Sequence, residues 1–394
     1  MRVALNGHFL HHPATGSGQY LIQLLRGLAR DGRVEPVVLC DGRAPSPPGG
    51  WPGRAAPCFV DLPAARLAGD AAKVWWEQVL WPRLVARSGA QVGHVPYFAP
   101  PLVRRGPASI VATIHDVIPL ILPHYVTSPL VRLYNALVSR GARRADIVLV
   151  DSQASRRDVV RLLGVPEARV RVVYLGVDEA LFVSIDTAQR DAVCRRYGLR
   201  PPFVLYLGGF DARKNVPALL RALALLPSTV SWQLAIAGRL PPPRPPLFPD
   251  LPRLVEELGL GSRVRFLGYI AEEEKPALFR AAACFAYPSI YEGFGLDPLA
   301  ALACGVPVVC SNRASLPELM GEAALLVDPD DLPSFAAALK RVLTDADLRA
   351  ELARRGPQQA AKFRWEETVR QTVAAYEASL VPFISDRSGQ CASS

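Results

Sequence analysis

The feature that most constrains this chain is a local pattern that occurs twice. Residues 2–6 are a short apolar run and 7–18 a glycine-containing loop. Residues 19–29 then place Tyr20, Leu21, Leu24, Leu25 and Leu28 at helical spacing. At residue 203 the order restarts. Residues 203–207 are apolar, 208–215 form a polar loop with glycine, and 216–226 return to helical spacing. Strand, glycine loop and helix is the opening unit of a doubly wound sheet. Two such openings predict an α/β chain of two Rossmann-like doubly wound domains facing across a cleft. The 394 residues suffice for two domains. The first is expected at 1–180, completed by a C-terminal helix at 366–394, and the second at 181–365. Residues 179–202 read as the crossing between them.

Further strands are expected at 37–39, 109–114, 147–150 and 169–175 in the first half. In the second half they are expected at 233–237, 264–267, 284–287 and 306–309. Helices are expected at 250–258, 273–282, 297–304, 331–344, 346–356 and 365–379. Residues 42–57 and 241–249 are rich in proline and read as loops. One helix is expected over 73–87, where Trp75, Trp76, Val79, Leu80 and Leu84 make a wide apolar face suited to packing rather than to a sugar platform. The polar tail 386–394 is expected to fray.

Half of the residues are hydrophobic and 21% are charged, which supports two buried cores and argues against disorder. No apolar run reaches the roughly 18 residues of a membrane span. The N-terminus lacks the basic and apolar regions of a signal peptide, so the cytoplasm is the expected compartment. Seven widely spaced cysteines without a CxxC argue against a disulfide scaffold or a zinc ribbon. His8, His11 and His12 lack a ligand pattern, so neither a metal nor a cofactor is predicted. The charge is uneven: residues 1–180 hold 21 Lys/Arg against 13 Asp/Glu, and the remainder 24 against 23. A basic first half suits a phosphate-rich partner such as an anionic membrane face, a lipid-linked phosphate or nucleic acid; it equally suits a solvated, arginine-rich surface. No RNA-binding aromatic signature or zinc-finger spacing supports nucleic acid, which is not expected as a partner. Peripheral contact with the inner face of an anionic membrane is.

The most informative segment is 291–307, YEGFGLDPLAALACGVP. Glycines 293 and 295 let backbone N–H groups turn toward a ligand. A helix opens near Asp297–Pro298, where its free N–H groups and partial positive charge favour a phosphate. Glu292 stands just ahead, able to accept hydrogen bonds from hydroxyl groups.

These residues resemble the retaining glycosyltransferases of the GT-B fold in the large group called family 4. The family phrase resembles EGFGLPxLEAMACGxPVV, a Glu, seven residues, then Glu. Here it reads from Glu292 to Ala300 and on through ALACGVPVV. The resemblance continues through Ser311–Glu318 (SNRASLPE) and covers Leu205–Asn215 (LYLGGFDARKN). In the first half it touches Gly16–Tyr20, Trp76-Glu77-Gln78, Thr113–Asp116 and Asp151–Ser155. Near the end Phe363–Glu366 is similar to the family's FSWE.

The resemblance implies roles. Arg213 and Lys214 would hold the diphosphate and stabilise charge on the leaving group. Glu292 would bind hydroxyls of the donor sugar, and His115 would lie near the reacting carbon. The N–H groups of Phe294, Gly295 and Leu296 would cradle the sugar and distal phosphate. Gly16 and Gly18 would set a small loop against the phosphates from the other domain. Gly208 would lie in the diphosphate loop, Gly238 and Arg239 in a strand-end loop nearby, and Tyr269 and Ile270 beside the base. The implied reaction is retaining transfer of a hexose, mannosyl or rhamnosyl favoured, from a nucleoside-diphosphate sugar. The acceptor would be a hydroxyl of a glycan, a lipid-linked glycan or a natural product. A front-face route needs no carboxylate dyad, unlike a glycoside hydrolase.

One departure stands out. The second glutamate of the motif falls on Ala300, which cannot accept bonds from ribose hydroxyls. Another carboxylate could reach the ribose, the grip on the nucleotide could be weaker, or the chain could be a catalytically degenerate partner or scaffold. The first half lacks GxGxxG after its first strand, which sets aside a dinucleotide oxidoreductase or an epimerase.

Overall fold

The computed structural model describes residues 1–13, 15–41, 58–60 and 70–381. The loop expected at 42–57 and the polar tail therefore lie outside the described residues, as does the end of the expected helix 366–394. Two parallel sheets organise the chain. The first has seven strands in the order β3-β2-β1-β4-β5-β6-β7. They are β1 Arg2–Asn6, β2 Glu35–Asp41, β3 Cys58–Val60, β4 Val92–Val95, β5 Ser109–Ile114, β6 Ile147–Val150 and β7 Val170–Val172. The second has six, in the order β10-β9-β8-β11-β12-β13. They are β8 Phe203–Leu207, β9 Gln233–Ala237, β10 Val264–Gly268, β11 Cys284–Tyr287, β12 Val308–Ser311 and β13 Ala324–Val327. Every residue of β4, β5, β6, β8, β9, β11 and β12 is buried, as helices on both faces of a parallel sheet require.

Both sheets reverse direction beside their opening strand, between β1 and β4 and between β8 and β11. Ligands of doubly wound sheets bind outside the carboxyl ends of the strands at such a reversal. The loops that follow β8 and β11 carry the Arg213-Lys214 and Glu292 motifs, so the topology alone delivers them to one place.

The chain crosses between the lobes twice. The helix Trp365–Leu380 returns to the first lobe and packs along the helix Gly16–Asp31 and against β5. A buried polar chain ties it there: Tyr376 OH lies 2.7 Å from His94 Nδ1, and His94 Nε2 lies 2.8 Å from Thr113 Oγ1. Burial pushes the His94 pKa down to about 3, so this hub stays neutral. One apolar cluster continues from Val3, Leu5 and Tyr20 through Val173, Leu175 and Val373 into the second-lobe core. A separate one, with Trp76, Trp81 and Val138, covers the other face of the first sheet.

The structure redraws several expected elements. The single helix over 73–87 is a helix Asp70–Trp75, a π turn Trp76–Leu80 and a helix Trp81–Arg87. Pro82 lacks the N–H that would continue α-helical bonding and loosens that turn. Trp76 and Trp81 are buried as packing residues, whereas Trp75 is exposed. Residues 179–202 are more than a crossing, for they contain the helix Thr187–Tyr197 with an Asp186–Gln189 capping box. Strands β3, β4 and β13 were not expected; the Gly and His inside VGHV obscure the second of them.

Candidate active site

The second lobe supplies a buried carboxylate between two cations. Glu292 follows β11, and Arg213 and Lys214 lie in a single 3₁₀ turn, Ala212–Lys214, after β8. Arg213 Nη1 stands 2.6 Å from Glu292 Oε2, and Lys214 Nζ 2.8 Å from Oε1. Ser289 Oγ and Tyr287 OH donate to the same Oε1 at 2.6 and 3.1 Å. Burial opposes the charge on Glu292, but Lys214 and then Arg213 overrule it and hold the pKa at about 2. The group is therefore ionised at any neutral pH. Its Oε1 is crowded, whereas among the described residues Oε2 meets Arg213 alone, which leaves a lone pair for a hydroxyl. Lys214 also donates to Tyr287 OH and sits 4.8 Å from the centre of that ring. Arg213 Nε is buried without a hydrogen-bond partner, although Asp211 Oδ1 lies 3.3 Å away.

The first lobe faces this group with His115 and Asp116, at the end of β5. His115 Nδ1 is 2.7 Å from Asp151 Oδ2, and Nε2 is 3.2 Å from the Pro96 carbonyl. With an acceptor at each nitrogen, the ring is best satisfied as an imidazolium. Burial works against that charge, but Asp151 outweighs it and the pKa rises. Burial raises the Asp116 pKa, opposed partly by Arg213 across the cleft.

The lobes meet closely at Gly293. A Cβ there would lie 2.0 Å from the His115 carbonyl oxygen, so no other residue fits without separating the lobes. Ser152 Oγ donates to the Gly293 carbonyl at 2.7 Å, and Ser155 Oγ lies 3.1 Å from both that oxygen and the His115 carbonyl. Ser315 Oγ supports the turn from behind by donating to the Glu292 carbonyl at 3.0 Å. Tyr291 OH donates to Asp158, at 2.9 Å. Glu318 accepts the N–H groups of Gln153 and Ala154, at 3.0 and 3.1 Å, and the Tyr174 hydroxyl. Tyr125 of the first lobe donates to Asp211 of the second.

Arg213, Lys214 and Glu292 therefore form one cluster, and His115 stands close to it where the lobes meet at Gly293. The remaining expected residues divide. Gly208 and Gly238 lie side by side at the ends of β8 and β9, the N–H of Gly238 donating to the Gly268 carbonyl at 2.8 Å. Gly295 is the N-cap of the helix Leu296–Ala303, whose first residue is Leu296. Its first N–H groups have no partner within the helix. The ring of Phe294 is buried against Tyr174 and Phe363, which leaves its backbone alone to meet a ligand. Tyr269 is 60% exposed and Arg239 is exposed, while Ile270 turns into the core. Gly16 and Gly18 do not form a loop: they open the helix Gly16–Asp31, capped by Thr15, and Gly18 packs on the His12 carbonyl. Ala300 lies one turn beyond Asp297, partly buried against the second-lobe core.

Sequence reasoning assigned no role to Asp151, Ser152, Ser155, Ser289 and Glu318. Four of them lie within stretches whose resemblance was noted, and Ser289 stands three residues before Glu292. Tyr125 and Asp211 were also missed, and only three-dimensional proximity pairs them.

Comparison with known proteins bears on the family and the fold. Residues 195–359 match the family model described as glycosyl transferases group 1, and residues 14–181 match the model for Glycosyltransferase Family 4. The chain is 30% identical over 402 aligned residues to the O-antigen chain mannosyltransferase B of Escherichia coli, covering 96% of this chain and 100% of that one. Among solved structures it resembles the sucrose-phosphate synthase of Thermosynechococcus elongatus, with TM-score 0.76, 25% identity and coverage of 96% and 98%. It also resembles HepE of Anabaena, solved with UDP and glucose, with TM-score 0.72, 20% identity and coverage of 96% and 100%.

Proposed function

This chain belongs to the family 4 glycosyltransferases of GT-B fold, and from that premise we propose that it moves a mannosyl unit, with retention, from a nucleoside-diphosphate sugar to a hydroxyl of a glycan. The observation that carries the reading is the Glu292 carboxylate held between Arg213 and Lys214 in the inter-lobe crevice. The mannosyltransferase relative favours the sugar and a polysaccharide acceptor. A degenerate scaffold finds no support among such relatives.

In this reading the diphosphate lies against the N-terminus of the helix Leu296–Ala303 and the two cations. The unpartnered Arg213 Nε–H is a donor available to a phosphate oxygen. Glu292 Oε2 accepts a hydroxyl of the donor sugar and orients its ring. The bond from the anomeric carbon to the diphosphate breaks first, and Arg213 and Lys214 stabilise the charge gathering on the leaving oxygen. An oxocarbenium-like species forms. The acceptor hydroxyl attacks from the face the diphosphate is leaving, and its proton passes to the departing phosphate oxygen. His115, kept cationic by Asp151, lies on the first-lobe side and adds positive charge near the diphosphate. Contact between the lobes excludes water, which would otherwise hydrolyse the donor. No obligatory metal takes part in this scheme.

The test is transfer from a panel of nucleoside-diphosphate hexoses to an oligomannose acceptor, with the product anomer read by NMR. An α-mannoside from an α-linked donor is expected. An inverted product contradicts the front-face route. Failure of every donor contradicts the transferase reading.

A further inference from the structure

The helix Leu296–Ala303 brings a second carboxyl to the place proposed for the diphosphate. Asp297 is the second residue of that helix. A Cβ on Gly208 would lie 3.4 Å from Asp297 Oδ2 and 3.2 Å from Tyr206 OH, so the carboxyl stands against the loop after β8. Among the described residues its hydrogen bonding is confined to Tyr287 OH, at 3.4 Å. That phenol is engaged elsewhere: it donates to Glu292 Oε1 at 3.1 Å and accepts from Lys214. Lys214, whose charge acts on Asp297, is itself paired to Glu292 at 2.8 Å. Asp297 remains partly exposed, open to a ligand.

The charges here do not balance. Arg213 and Lys214 act on four carboxyl groups, those of Asp116, Asp211, Glu292 and Asp297. Nearby, the His115–Asp151 pair adds no net charge. With all four ionised, the cluster would be negative before a diphosphate arrived. Glu292 is held ionised by its two cations. Asp211 lies 3.3 Å from Arg213, and Asp116 accepts the Ile118 N–H at 3.0 Å; both contacts favour a carboxylate. Asp297 has neither kind of support. Burial raises its pKa and the charge of Glu292 adds to the rise, while Lys214, Lys275 and the Tyr287 phenol oppose it. Tyr206 also faces it, and burial pushes that phenol well up, so it stays neutral. A diphosphate drawn to the helix N-terminus brings further negative charge beside Asp297 and favours its protonated form.

Resting on the diphosphate placement proposed above, we propose that Asp297 takes up a proton when the donor binds and meets a phosphate oxygen as a neutral hydrogen-bond donor. A protonated carboxyl donates its O–H, whereas a carboxylate only accepts. The proton comes from solvent and returns to it when the nucleoside diphosphate leaves. No bond of the donor is made or broken in this step. The O–H also points toward phosphate oxygens on which charge gathers as the sugar departs. Donor affinity therefore falls as the pH rises past the pKa of the free site, by at most about tenfold per pH unit, until the pKa of the occupied site is reached.

The test is calorimetric titration of GDP-mannose, whose phosphates do not themselves titrate near neutral pH, into the full chain with EDTA and without acceptor. Runs in buffers of different ionisation enthalpy report the proton count, from mildly acid to mildly alkaline pH. Wild type should take up protons, approaching about one per donor bound, and its affinity should fall as the pH rises. The variant Asp297→Asn keeps an N–H donor but cannot titrate. Its uptake should vanish, and its affinity should be flat with pH and exceed that of wild type at the alkaline end. Wild type that binds without proton uptake overturns the proposal, and that count stands whether or not the variant folds. Uptake that persists in Asp297→Asn overturns it and assigns the proton to Asp116 or His115. Weaker binding by folded Asp297→Asn at every pH overturns it as well, because it marks a carboxylate that accepts a donor hydroxyl. Failure of both GDP-mannose and UDP-glucose to bind wild type would contradict the transferase reading itself, and this role with it.

Discussion

The phenol of Tyr125, on the first lobe, donates to the same Asp211 oxygen that lies 3.3 Å from Arg213 Nε on the second. This contact links the approach of the lobes to Arg213, the cation nearest the Glu292 carboxylate. While Tyr125 engages Asp211, that carboxylate competes less for Arg213. The substitution Tyr125→Phe should therefore raise the KM for the donor and lower kcat/KM about fivefold, the worth of one hydrogen bond. Steady-state kinetics check this, and a melting temperature close to wild type separates it from a folding defect.

If His115 acts in the site as proposed, its pairing with Asp151 should make activity sensitive to alkaline pH. The His115 pKa lies above its ordinary value of 6.5, so the charged form and the stability it lends are fully present below that value. Both are lost as the pH rises through the folded-state pKa. Replacing Asp151 by Asn removes the main partner that raises the pKa and leaves burial, which pushes it down, opposed only by Asp116 and the Pro96 carbonyl. The alkaline limb of the kcat/KM profile should then move to lower pH, whereas a merely structural Asp151 would leave its position unchanged.

On the reading proposed above, Ala300 stands where a carboxylate would meet the nucleotide ribose. A charged hydrogen bond is worth about 1.5–3 kcal/mol. The substitution Ala300→Glu should thus tighten nucleoside-diphosphate binding by roughly tenfold or more, measured by calorimetry. Unchanged affinity would mean that another group already serves the ribose.

The scheme assigns the charge of the leaving diphosphate to Arg213 and Lys214, not to a divalent ion. Turnover measured after exhaustive chelation with EDTA should equal that of untreated enzyme. Loss of turnover that returns with added magnesium would replace this part of the scheme.

Much of this was legible in the sequence, for identifiable physical reasons. Buried parallel strands are continuous apolar runs, so β1, β5, β6, β8, β9 and β11 could be read almost to the residue. β4 could not, because its buried His94 belongs to a polar chain that only the folded lobes assemble. Glu292 could be singled out from its glycine-rich turn between a strand and a helix, whereas Arg213 and Lys214 were singled out by the family resemblance alone. The residues that press the lobes together were not. Ser152, Ser155 and Glu318 act through backbone groups of the opposite lobe, and nothing local encodes such a partner. Gly16 and Gly18 were misplaced because glycine near a strand end serves equally a loop or a tightly packed first helical turn, and here Gly18 packs on His12.

The central claim is that Arg213, Lys214 and Glu292 form one diphosphate-sugar site. The most direct measurement is calorimetric titration of a nucleoside diphosphate into wild type, Lys214→Ala and Arg213→Ala. The account predicts saturable binding to wild type, weakened at least about tenfold in each variant by loss of a charge-assisted contact. Equal affinity in all three proteins, with the variants still folded, would contradict it.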